Sequence, residues 1–302
     1  MSKVVCWLPQ GLVTMLSKFI GLFWFYCLPI RCGVALNNVS RTNVGKDLGH
    51  GERRMLVRSA CINMAMTVLE SLRWPLLNST KIKEAMKDWK GVSHFEAALA
   101  QGKGVILVGP HLGPFEELPG GLALAGYPVA VIYREISMGS AQRYWTRERN
   151  RMGLVPIAPR GSKEKIKECL GSGMAVVFAF DQHMAPYRGI ACEFLGQLAS
   201  TMTGAVRLAL ATGAPIVPGF VYRERGQPQK HIIELEPEYH LECPYDNDDE
   251  NIRHNTQALN KIVEKWVMAY PEQWLWHHRR FKVYDNLDEW EIPTHLNHLK
   301  KS

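Results

Sequence analysis

Residues 105–117 read VILVGPHLGPFEE, and this stretch decides the fold of the 302-residue chain. It opens on a short apolar run, Val105 to Val108, which follows the turn-forming triplet Gly102-Lys103-Gly104. An apolar run of this length behind a glycine turn is typical of a strand buried in a sheet. We therefore predict that an α/β domain begins here.

Outward from this stretch, the chain alternates between two patterns. Short apolar runs predict further strands at Val129 to Tyr133, Val155 to Ala158, Met174 to Phe180, Ile216 to Tyr222 and His231 to Leu235. Apolar residues at helical spacing predict helices at Glu52 to Trp74, Lys81 to Leu99, Ala141 to Met152, Lys163 to Leu170, Thr201 to Thr212 and Ile252 to Tyr270. Strands that alternate with helices indicate an α/β fold with a mostly parallel sheet covered by helices.

The N-terminus carries two charge-free stretches, Val4 to Ser17 and Phe19 to Ile30, which are separated only by Lys18. Aromatic residues crowd the second stretch. Together they predict an N-terminal helical membrane-associating region with an anchor at about residues 1–30. An embedded or interfacial anchor fits as well as a full span, and a buried core helix is the alternative.

These patterns divide the chain into an N-terminal helical region (residues 1–100), an α/β domain (101–290) and a C-terminal tail (291–302). No boundary rich in Pro, Gly or Ser splits the α/β domain. Hydrophobic residues make up 46% and charged residues 22% of the chain, which is ordinary for a globular protein and excludes a disordered one.

The formal net charge of +7 predicts an anionic partner, and nucleic acid, acidic protein and anionic lipid all satisfy it. We recognise no nucleic-acid-binding module, so we expect no nucleic acid and assign the charge to lipid.

The seven cysteines are scattered and never form a Cys-x-x-Cys pair, which indicates neither a disulfide framework nor a zinc site. The adjacent His277 and His278 do not change this expectation. Adjacent residues rarely converge on one ion, and no Cys or carboxylate lies at ligand spacing near them along the chain. We expect reduced thiols and no metal.

His111 and Glu116 are the candidate catalytic pair. His111 follows the first strand, and loops at the carboxyl ends of strands are where α/β proteins place their sites. Glu116 can fold back or sit in the first turn of the next helix, close enough to hold the imidazole in one tautomer. A base with an orienting acid is the arrangement that deprotonates a hydroxyl. The neighbouring Glu117 is expected to matter far less.

The pattern His-x-x-x-x-Glu after a strand resembles the motif of glycerolipid and lipid A acyltransferases. Further segments are similar, in the same order, to the lipid A biosynthesis late acyltransferase family of the lauroyl and myristoyl type. These segments are residues 177–182 (VFAFDQ), 200–205 (STMTGA), 211–214 (ATGA) and 271–282 (PEQWLWHHRRFK), with Tyr133-Arg134 and residues 147–150 (RERN) where the family has arginines. The resemblance covers about residues 10–285.

This resemblance implies transfer of a fatty acyl chain from acyl carrier protein to a hydroxyl of a lipid A precursor or similar glycolipid. The reaction would take place at the cytoplasmic face of the cell inner membrane and would need no cofactor beyond the acyl carrier protein thioester. A phospholipid, mannoside or other lipid acyltransferase of the same superfamily is the alternative. A non-enzymatic membrane-binding protein would explain the N-terminus and the charge, but not His111 and Glu116 after a strand.

In this interpretation His111 takes the proton of the acceptor hydroxyl and Glu116 steadies the imidazolium. An arginine stabilises the oxyanion, with Arg149 as first choice and Arg134 as second. Asp181 ends a strand, so it either orders the site or caps the following turn.

The remaining candidate substrate-binding or site-forming residues come from the similar segments. They are Asn150, Gln182, Thr203, Arg279 and Arg280. Arg279 and Arg280, with Lys282, form a basic cluster that is expected to meet glycolipid phosphates or the acidic surface of acyl carrier protein, and a solvated surface patch is the alternative.

Overall fold

The computed structural model describes residues 2–133, 139–159, 161–185, 188–282 and 292–301. The strands are β1 (Val105–Gly109), β2 (Val129–Ile132), β3 (Val155–Ile157), β4 (Ala175–Ala179), β5 (Gly189–Phe194), β6 (Gln197–Met202), β7 (Ile216–Glu224) and β8 (Gln227–Leu235). The helices are α1 (Ser2–Trp7), α2 (Gln10–Tyr26), α3 (Cys32–Arg41), α4 (His50–Ser71), α5 (Ser79–Ala85), α6 (Val92–Leu99), α7 (Glu117–Ala125), α8 (Gly139–Met152), α9 (Ser162–Gly171), α10 (Gly204–Thr212) and α11 (Asp248–Ala269).

The main sheet has six strands in the order β3-β2-β4-β1-β7-β8. The pairs from β3 to β7 are all parallel, and only β8 runs antiparallel to its neighbour β7. β5 and β6 form a separate antiparallel hairpin. The predicted α/β fold with a mostly parallel central sheet is therefore confirmed.

Strand β1 shows why helices cover both faces of the sheet. Ile106 and Val108 belong to one hydrophobic core cluster, whereas Val105 and Leu107 belong to another. Side chains alternate across a strand, so the two clusters lie on opposite faces. The first cluster also contains Phe25 and other residues of the N-terminal helices, which therefore share a core with the sheet.

Helix α2 packs along α4 through one face. Val13, Ser17, Gly21 and Phe25 are buried at a spacing of four residues, as expected for one side of a helix. A Cβ on Gly21 would lie 2.4 Å from the Cα of Ile62, so the glycine allows the two backbones to approach. Within the described ranges, no helix combines the length and apolar character that crossing a membrane requires.

The structure differs from three predicted elements. Thr201 and Met202 belong to strand β6, where they pair with β5, so the helix predicted from Thr201 begins only at Gly204. The helix predicted for Lys81 to Leu99 is two helices, because Gly91 at φ 68° interrupts it before α6. Strand β8 begins at Gln227, four residues before the predicted start, because it pairs with β7 up to their turn.

Candidate active site

His111 and Asp181 follow neighbouring strands of the sheet. Strands β1 and β4 are parallel, and their paired register ends at Gly109 and Ala179. His111 and Asp181 each lie two residues beyond this last pair, at the carboxyl edge of the sheet. The equal offset brings two side chains together that are 70 residues apart in the chain.

Asp181 holds His111 with both carboxylate oxygens. Its Oδ1 lies 2.7 Å from Nδ1 of the imidazole, and its Oδ2 accepts the backbone N–H of His111 at 2.8 Å. Oδ2 also accepts the indole N–H of Trp274 at 2.7 Å. An ionised carboxylate only accepts hydrogen bonds, so Nδ1 carries the proton and Nε2 keeps its lone pair. Asp181 therefore holds the His111 imidazole in one orientation, and its predicted role in ordering the site stays a prediction.

The charges of the two residues stabilise each other. Burial by itself would lower the pKa of His111, but the charge and hydrogen bond of Asp181, together with the charge of Glu116, raise it above its ordinary value. Burial by itself would raise the pKa of Asp181, but the charge and hydrogen bonds of His111 and the Trp274 indole lower it to about 2. Asp181 is thus ionised at every physiological pH, and its charge stabilises the imidazolium that forms when Nε2 of His111 takes up a proton.

The lone pair at Nε2 of His111 faces Gln182. The side-chain amide nitrogen of Gln182 lies 3.1 Å from Nε2 and donates to it. The Phe115 ring packs edge-on against the imidazole with the centroids 4.7 Å apart. The imidazole is therefore held at both nitrogens and on one side of its ring.

Glu116 makes a different contact from the one predicted. It lies just before α7, where its Oε1 accepts a hydrogen bond from Nη2 of Arg149 at 2.5 Å and its Oε2 one from Nε at 3.4 Å. Arg149 also lies over the Tyr133 ring, 5.3 Å from its centroid. Glu116 acts on His111 through its charge alone, and the orienting hydrogen bond comes from Asp181.

The segment after α11, residues 271–281, is paired to the His111 loop; we call it the C-terminal segment. The N–H of Gly113 donates to the carbonyl of Gln273 at 3.0 Å, and the N–H of Leu275 donates to the carbonyl of His111 at 3.2 Å. Gly113 adopts φ 54°, and a Cβ there would lie 2.9 Å from the carbonyl oxygen of Val221. Only glycine fits this turn, because both the conformation and the space exclude a side chain.

A group of buried and half-buried charges lies behind the same loop. This buried ion network consists of Glu70, Glu117, Arg223 and His231. Arg223 pairs with Glu70, and His231 reaches Glu117 at 2.7 Å through Nδ1 and Glu70 at 3.2 Å through Nε2. Thr67 connects the network to the loop, because its hydroxyl accepts from Arg223 at 2.9 Å and donates to the carbonyl of Gly113 at 3.0 Å.

The carboxylates keep His231 charged. Burial by itself would lower its pKa, but the charges and hydrogen bonds of Glu117 and Glu70 raise it to about 10. Burial favours the neutral form of Glu70, but Arg223 and His231 reverse this and lower its pKa. Glu117 thus has a structural partner in His231, and its expected minor effect on turnover stays a prediction. No local sequence pattern indicated this network, since its members come from α4, α7, β7 and β8.

Arg280 lies inside the protein, so the prediction that it belongs to a basic surface cluster is wrong. Its side chain is fully buried and donates to the carbonyls of Gln182 and Ser200 and to the hydroxyl of Thr201. Burial lowers its pKa to about 10, so the guanidinium stays charged at neutral pH. It supports the loop that carries Gln182 and cannot reach a phosphate at the surface. Arg279 and Lys282 are exposed.

The other predicted site residues are placed as follows. Asn150 is exposed on α8. Thr203 is buried at the start of α10, where its hydroxyl accepts from Arg207 at 3.2 Å and not from a residue of the His111 loop. Arg134 lies outside the described residues. Trp274 is a site residue that the sequence did not indicate by any role, although it stands in the segment that carried the resemblance.

A cavity of about 360 Å³ opens beside Glu116. Its walls include the apolar side chains of Trp74, Leu77, Ile82 and Trp89. Glu70, Glu117 and His231 of the buried ion network also line this cavity. An elongated apolar group would find desolvated contacts there within reach of the acidic residues at the start of α7.

Comparisons with known proteins identify the family of the chain. The family described as bacterial lipid A biosynthesis acyltransferase matches residues 1–283. The chain is 30% identical over 244 residues to a lipid A biosynthesis lauroyltransferase of Escherichia coli, covering 78% of this chain and 75% of that protein.

Two further relatives are more distant. The chain is 27% identical to a lipid A biosynthesis palmitoleoyltransferase of Escherichia coli, covering 77% of this chain and 73% of the relative. It is 22% identical to a phosphatidylinositol mannoside acyltransferase of Mycolicibacterium smegmatis, covering 72% and 70%.

The fold and the histidine site define an α/β enzyme, and the comparisons define its reaction as acyl transfer. The chain belongs to the bacterial lipid A biosynthesis acyltransferase family. This confirms the resemblance and excludes the non-enzymatic alternative.

Proposed function

We propose that this enzyme moves a fatty acyl chain from acyl carrier protein to a hydroxyl of a lipid A precursor or similar glycolipid, with His111 as general base. One observation carries the proposal: buried Asp181 fixes the proton on Nδ1, which leaves Nε2 to accept the hydroxyl proton. The hydroxyl displaces the Gln182 amide at Nε2. Its oxygen then attacks the thioester carbonyl, and the thiolate of the carrier leaves with the proton from His111.

Asp181 takes the role that the sequence gave to Glu116, because its charge stabilises the imidazolium. Glu116 instead holds Arg149, and the two hydrogen bonds between them use two of the five N–H groups of the guanidinium. We assign Arg149 to the oxyanion of the tetrahedral intermediate. Arg134 and Asn150 stay predicted site residues, as do Thr203 and the exposed Arg279.

The lipid acceptor is proposed from the names of the relatives. Those with the higher identity are named for lipid A biosynthesis, and the distant one for a phosphatidylinositol mannoside. A glycolipid hydroxyl is common to both, which supports a sugar acceptor over a simple phospholipid. We assign the acyl chain to the cavity beside Glu116, where Trp74, Leu77, Ile82 and Trp89 offer apolar contacts among the polar groups of the wall.

The donor is proposed from charge. Acyl carrier protein is acidic. On this enzyme, Arg143 and Arg147 are exposed on α8, and Arg279 and Lys282 are exposed just after His278. Electrostatic steering toward these cations predicts faster transfer from acyl carrier protein than from coenzyme A thioesters, and inhibition by salt. Equal rates with both donors at every salt concentration would contradict acyl carrier protein as the preferred acyl donor.

Membrane association is proposed from the free face of the N-terminal helices. Trp7, Met15, Phe19 and Phe23 are exposed, with Trp7 at 88% and Phe19 at 66% of their full accessible area. A helix with aromatic residues on one face and a packed opposite face suits the interface of a bilayer. We place the enzyme at the cytoplasmic face of the inner membrane. Two further expectations stay predictions: the division into residues 1–100, 101–290 and 291–302, and the absence of a cofactor.

The membrane contact has a direct test. Trp7, Phe19 and Phe23 are changed together to Ser, and binding to anionic phospholipid vesicles is measured by flotation. We expect the variant to lose most of its binding, whereas a control with Tyr245 and Met268, which are exposed elsewhere, changed to Ser should float with the vesicles. Equal flotation of both variants would contradict an interfacial role for α1 and α2.

The reaction itself is tested with His111→Ala. Purified enzyme is given acyl carrier protein thioester and a lipid A precursor, and the acylated product is followed by mass spectrometry. Loss of the general base should lower turnover by about 10²–10⁴-fold. A His254→Gln control, at a surface histidine paired with Glu242, should leave turnover unchanged. Normal turnover by His111→Ala would overturn the assignment.

A further inference from the structure

The fold assembles three metal-ligating side chains away from the active site. Cys32 is the first residue of α3, Cys61 lies in the middle of α4, and His277 lies in the C-terminal segment. All three are buried, and their ligand atoms lie within 4.8 Å of one another. The sequence gave no sign of this, because no cysteine is near His277 along the chain. The fold, however, brings Cys61 from 216 residues away.

The separations between the ligand atoms match those around one ion. The Sγ atoms of Cys32 and Cys61 are 3.8 Å apart, and Sγ of Cys61 lies 3.2 Å from Nε2 of His277. A tetrahedral Zn²⁺ with Zn–S of about 2.3 Å and Zn–N of about 2.0–2.1 Å places two sulfurs about 3.8 Å apart and a sulfur and a nitrogen about 3.5 Å apart. A disulfide, in contrast, requires the two sulfurs to close to about 2.05 Å.

The surroundings of the three side chains also suit a metal. The indole of Trp24 stacks on the His277 ring with the centroids 4.5 Å apart and fixes its orientation. Nδ1 of His277 is buried and makes no hydrogen bond within the described part of the chain. Among the described residues, the polar contact of the ring is at Nε2, which lies 3.2 Å from Sγ of Cys61. Cys32 is the first residue of a ten-residue helix, so a thiolate formed there on metal binding would face the positive end of the helix dipole, which acts against the burial that raises the pKa of the thiol.

We propose that Cys32, Cys61 and His277 bind a soft divalent cation, with Zn²⁺ as the best match to two thiolates and one imidazole. Two thiolates neutralise the charge of the ion, so the complex can be buried without a net charge. The three protein ligands leave one coordination position for water or another small ligand.

The ion would tie α3 and α4 to the C-terminal segment. That segment continues from His277 to His278, whose Nε2 accepts the backbone N–H of His183 at 2.9 Å, and it also contains Trp274, which donates to Asp181. Binding energy at the metal site is available only to the folded chain, so the ion should stabilise the protein. The site is structural, and it lies outside the proposed catalytic machinery.

The test uses the full-length protein purified with thiols reduced. Metal content is measured by inductively coupled plasma mass spectrometry, and Co²⁺ is then substituted, because thiolate-to-cobalt charge transfer reports sulfur ligands directly. We expect one equivalent of metal per chain, a Co²⁺ spectrum with thiolate bands, and a lower melting temperature after a chelator removes the ion.

Cys61→Ser and Cys32→Ser are the test variants, and Cys169→Ser, at a buried cysteine outside the cluster, is the matched control. Outer-shell partners alone alter metal affinity about 10–100-fold, so loss of a ligand should weaken Co²⁺ binding by more than about 100-fold. The control should keep both the affinity and the spectrum. Circular dichroism confirms that each variant is folded.

Three results would overturn the proposal. One is folded, reduced wild-type protein that takes up no Zn²⁺ or Co²⁺ at micromolar concentrations. Another is equal binding by Cys61→Ser and the Cys169→Ser control. The third is a disulfide between Cys32 and Cys61 in freshly purified protein, found by peptide mapping under denaturing conditions, because it would leave no thiolates for an ion.

Discussion

At the residue scale, the pairing of His111 with Asp181 is the feature on which the mechanism depends. The two side chains meet because strands β1 and β4 are neighbours, which the order of the elements along the chain does not reveal. Glu116 was predicted as the partner because it is close in sequence. At the edge of the sheet, however, His111 is hydrogen-bonded to Asp181, and Glu116 is hydrogen-bonded to Arg149.

Asp181→Asn should separate the two effects of this carboxylate on His111. The variant keeps the shape but removes the charge that raises the pKa of the imidazole. A base must be unprotonated to work, so the acidic limb of the kcat/KM profile should move to lower pH while kcat falls by about 10²–10⁴-fold. The profile is measured from about pH 5 to 9. An unchanged limb with normal kcat would show that Asp181 does not act through His111.

Glu116→Gln should behave differently from Asp181→Asn. It removes the charged partner of Arg149, and loss of a whole oxyanion donor costs about 10²–10³-fold in kcat, so a misplaced arginine should cost somewhat less. The acidic limb should shift only slightly, because Glu116 is the weakest of the influences that raise the pKa of His111. Rates are compared at saturating acceptor.

The control for Glu116→Gln is Glu164→Gln, at an exposed residue paired with Lys167. Glu117→Gln is unsuitable as a control, since Glu117 binds His231 in the buried ion network. If Glu116→Gln kept full kcat, Arg149 would not depend on Glu116 for its position.

At the element scale, the sequence predicted the buried strands well and the polar hairpin poorly. Apolar runs marked β1 to β4 and β7 to within a residue or two, because parallel strands buried on both faces read as continuous apolar segments. Strand β6 contains Gln197, Ser200 and Thr201, and the helix predicted from Thr201 overlaps its end. Its polar side chains are buried because partners from other segments satisfy them: Arg280 and Asn260 donate to the Thr201 hydroxyl, Gln197 donates to the carbonyl of Arg41, and Ser200 donates to that of Met184. Such partners cannot be seen locally.

The candidate site divides in the same way. His111 and Asp181 closely follow apolar strands, so their local setting predicts them as site residues. The buried ion network, Trp274 and the inward position of Arg280 depend on contacts between distant elements, so no spacing in the sequence could indicate them.

The buried ion network should make stability fall in alkali. The pKa of His231 rises from its ordinary value of 6.5 to about 10 in the folded chain. Its contribution to the free energy of unfolding is therefore fully present below about pH 6.5 and is lost as pH rises through about 10. His231→Gln should be less stable than wild type at pH 7 and should lose less between pH 7 and 10.

Thermal melting at several pH values measures this loss, and His254→Gln at the surface is the control. A His231→Gln melting curve parallel to wild type across this pH range would show that His231 does not hold its proton through Glu70 and Glu117.

At the scale of the whole molecule, the C-terminal segment joins the sheet, the His111 loop and the N-terminal helices. Asn38 on α3 donates to the carbonyls of Trp276 and His278 at 2.8 Å each, and Gln273 exchanges hydrogen bonds with the backbone of Arg223. The segment therefore contacts the sheet, the His111 loop and the N-terminal helices at once, although these are far apart in sequence.

Trp274→Phe should narrow the range of acidic pH over which the protein stays folded. Asp181 contributes stability above its ordinary pKa of 3.8, and this contribution is lost as pH falls through about 2. Without the indole N–H, the folded pKa of Asp181 moves back toward 3.8. Loss of a hydrogen bond to a charged group should also lower the free energy of unfolding by about 1.5–3 kcal/mol.

The matched control for this variant is Trp276→Phe, which loses only a hydrogen bond to the neutral carbonyl of Pro271 at 2.7 Å. Acid unfolding, followed by tryptophan fluorescence, should shift to higher pH for Trp274→Phe alone. Equal shifts in both variants would mean that packing, not the carboxylate, accounts for the change.

The pairing of the His111 loop with Gln273 and Leu275 also bears on how the enzyme is made. During synthesis His111 leaves the ribosome more than half the chain before Trp274 does, so the loop has no backbone partner and Asp181 lacks its indole donor until translation is nearly complete. A nascent or prematurely terminated chain that already exposes its apolar N-terminus would have an unfinished catalytic centre. Acyl transfer would begin only once the last part of the message has been read.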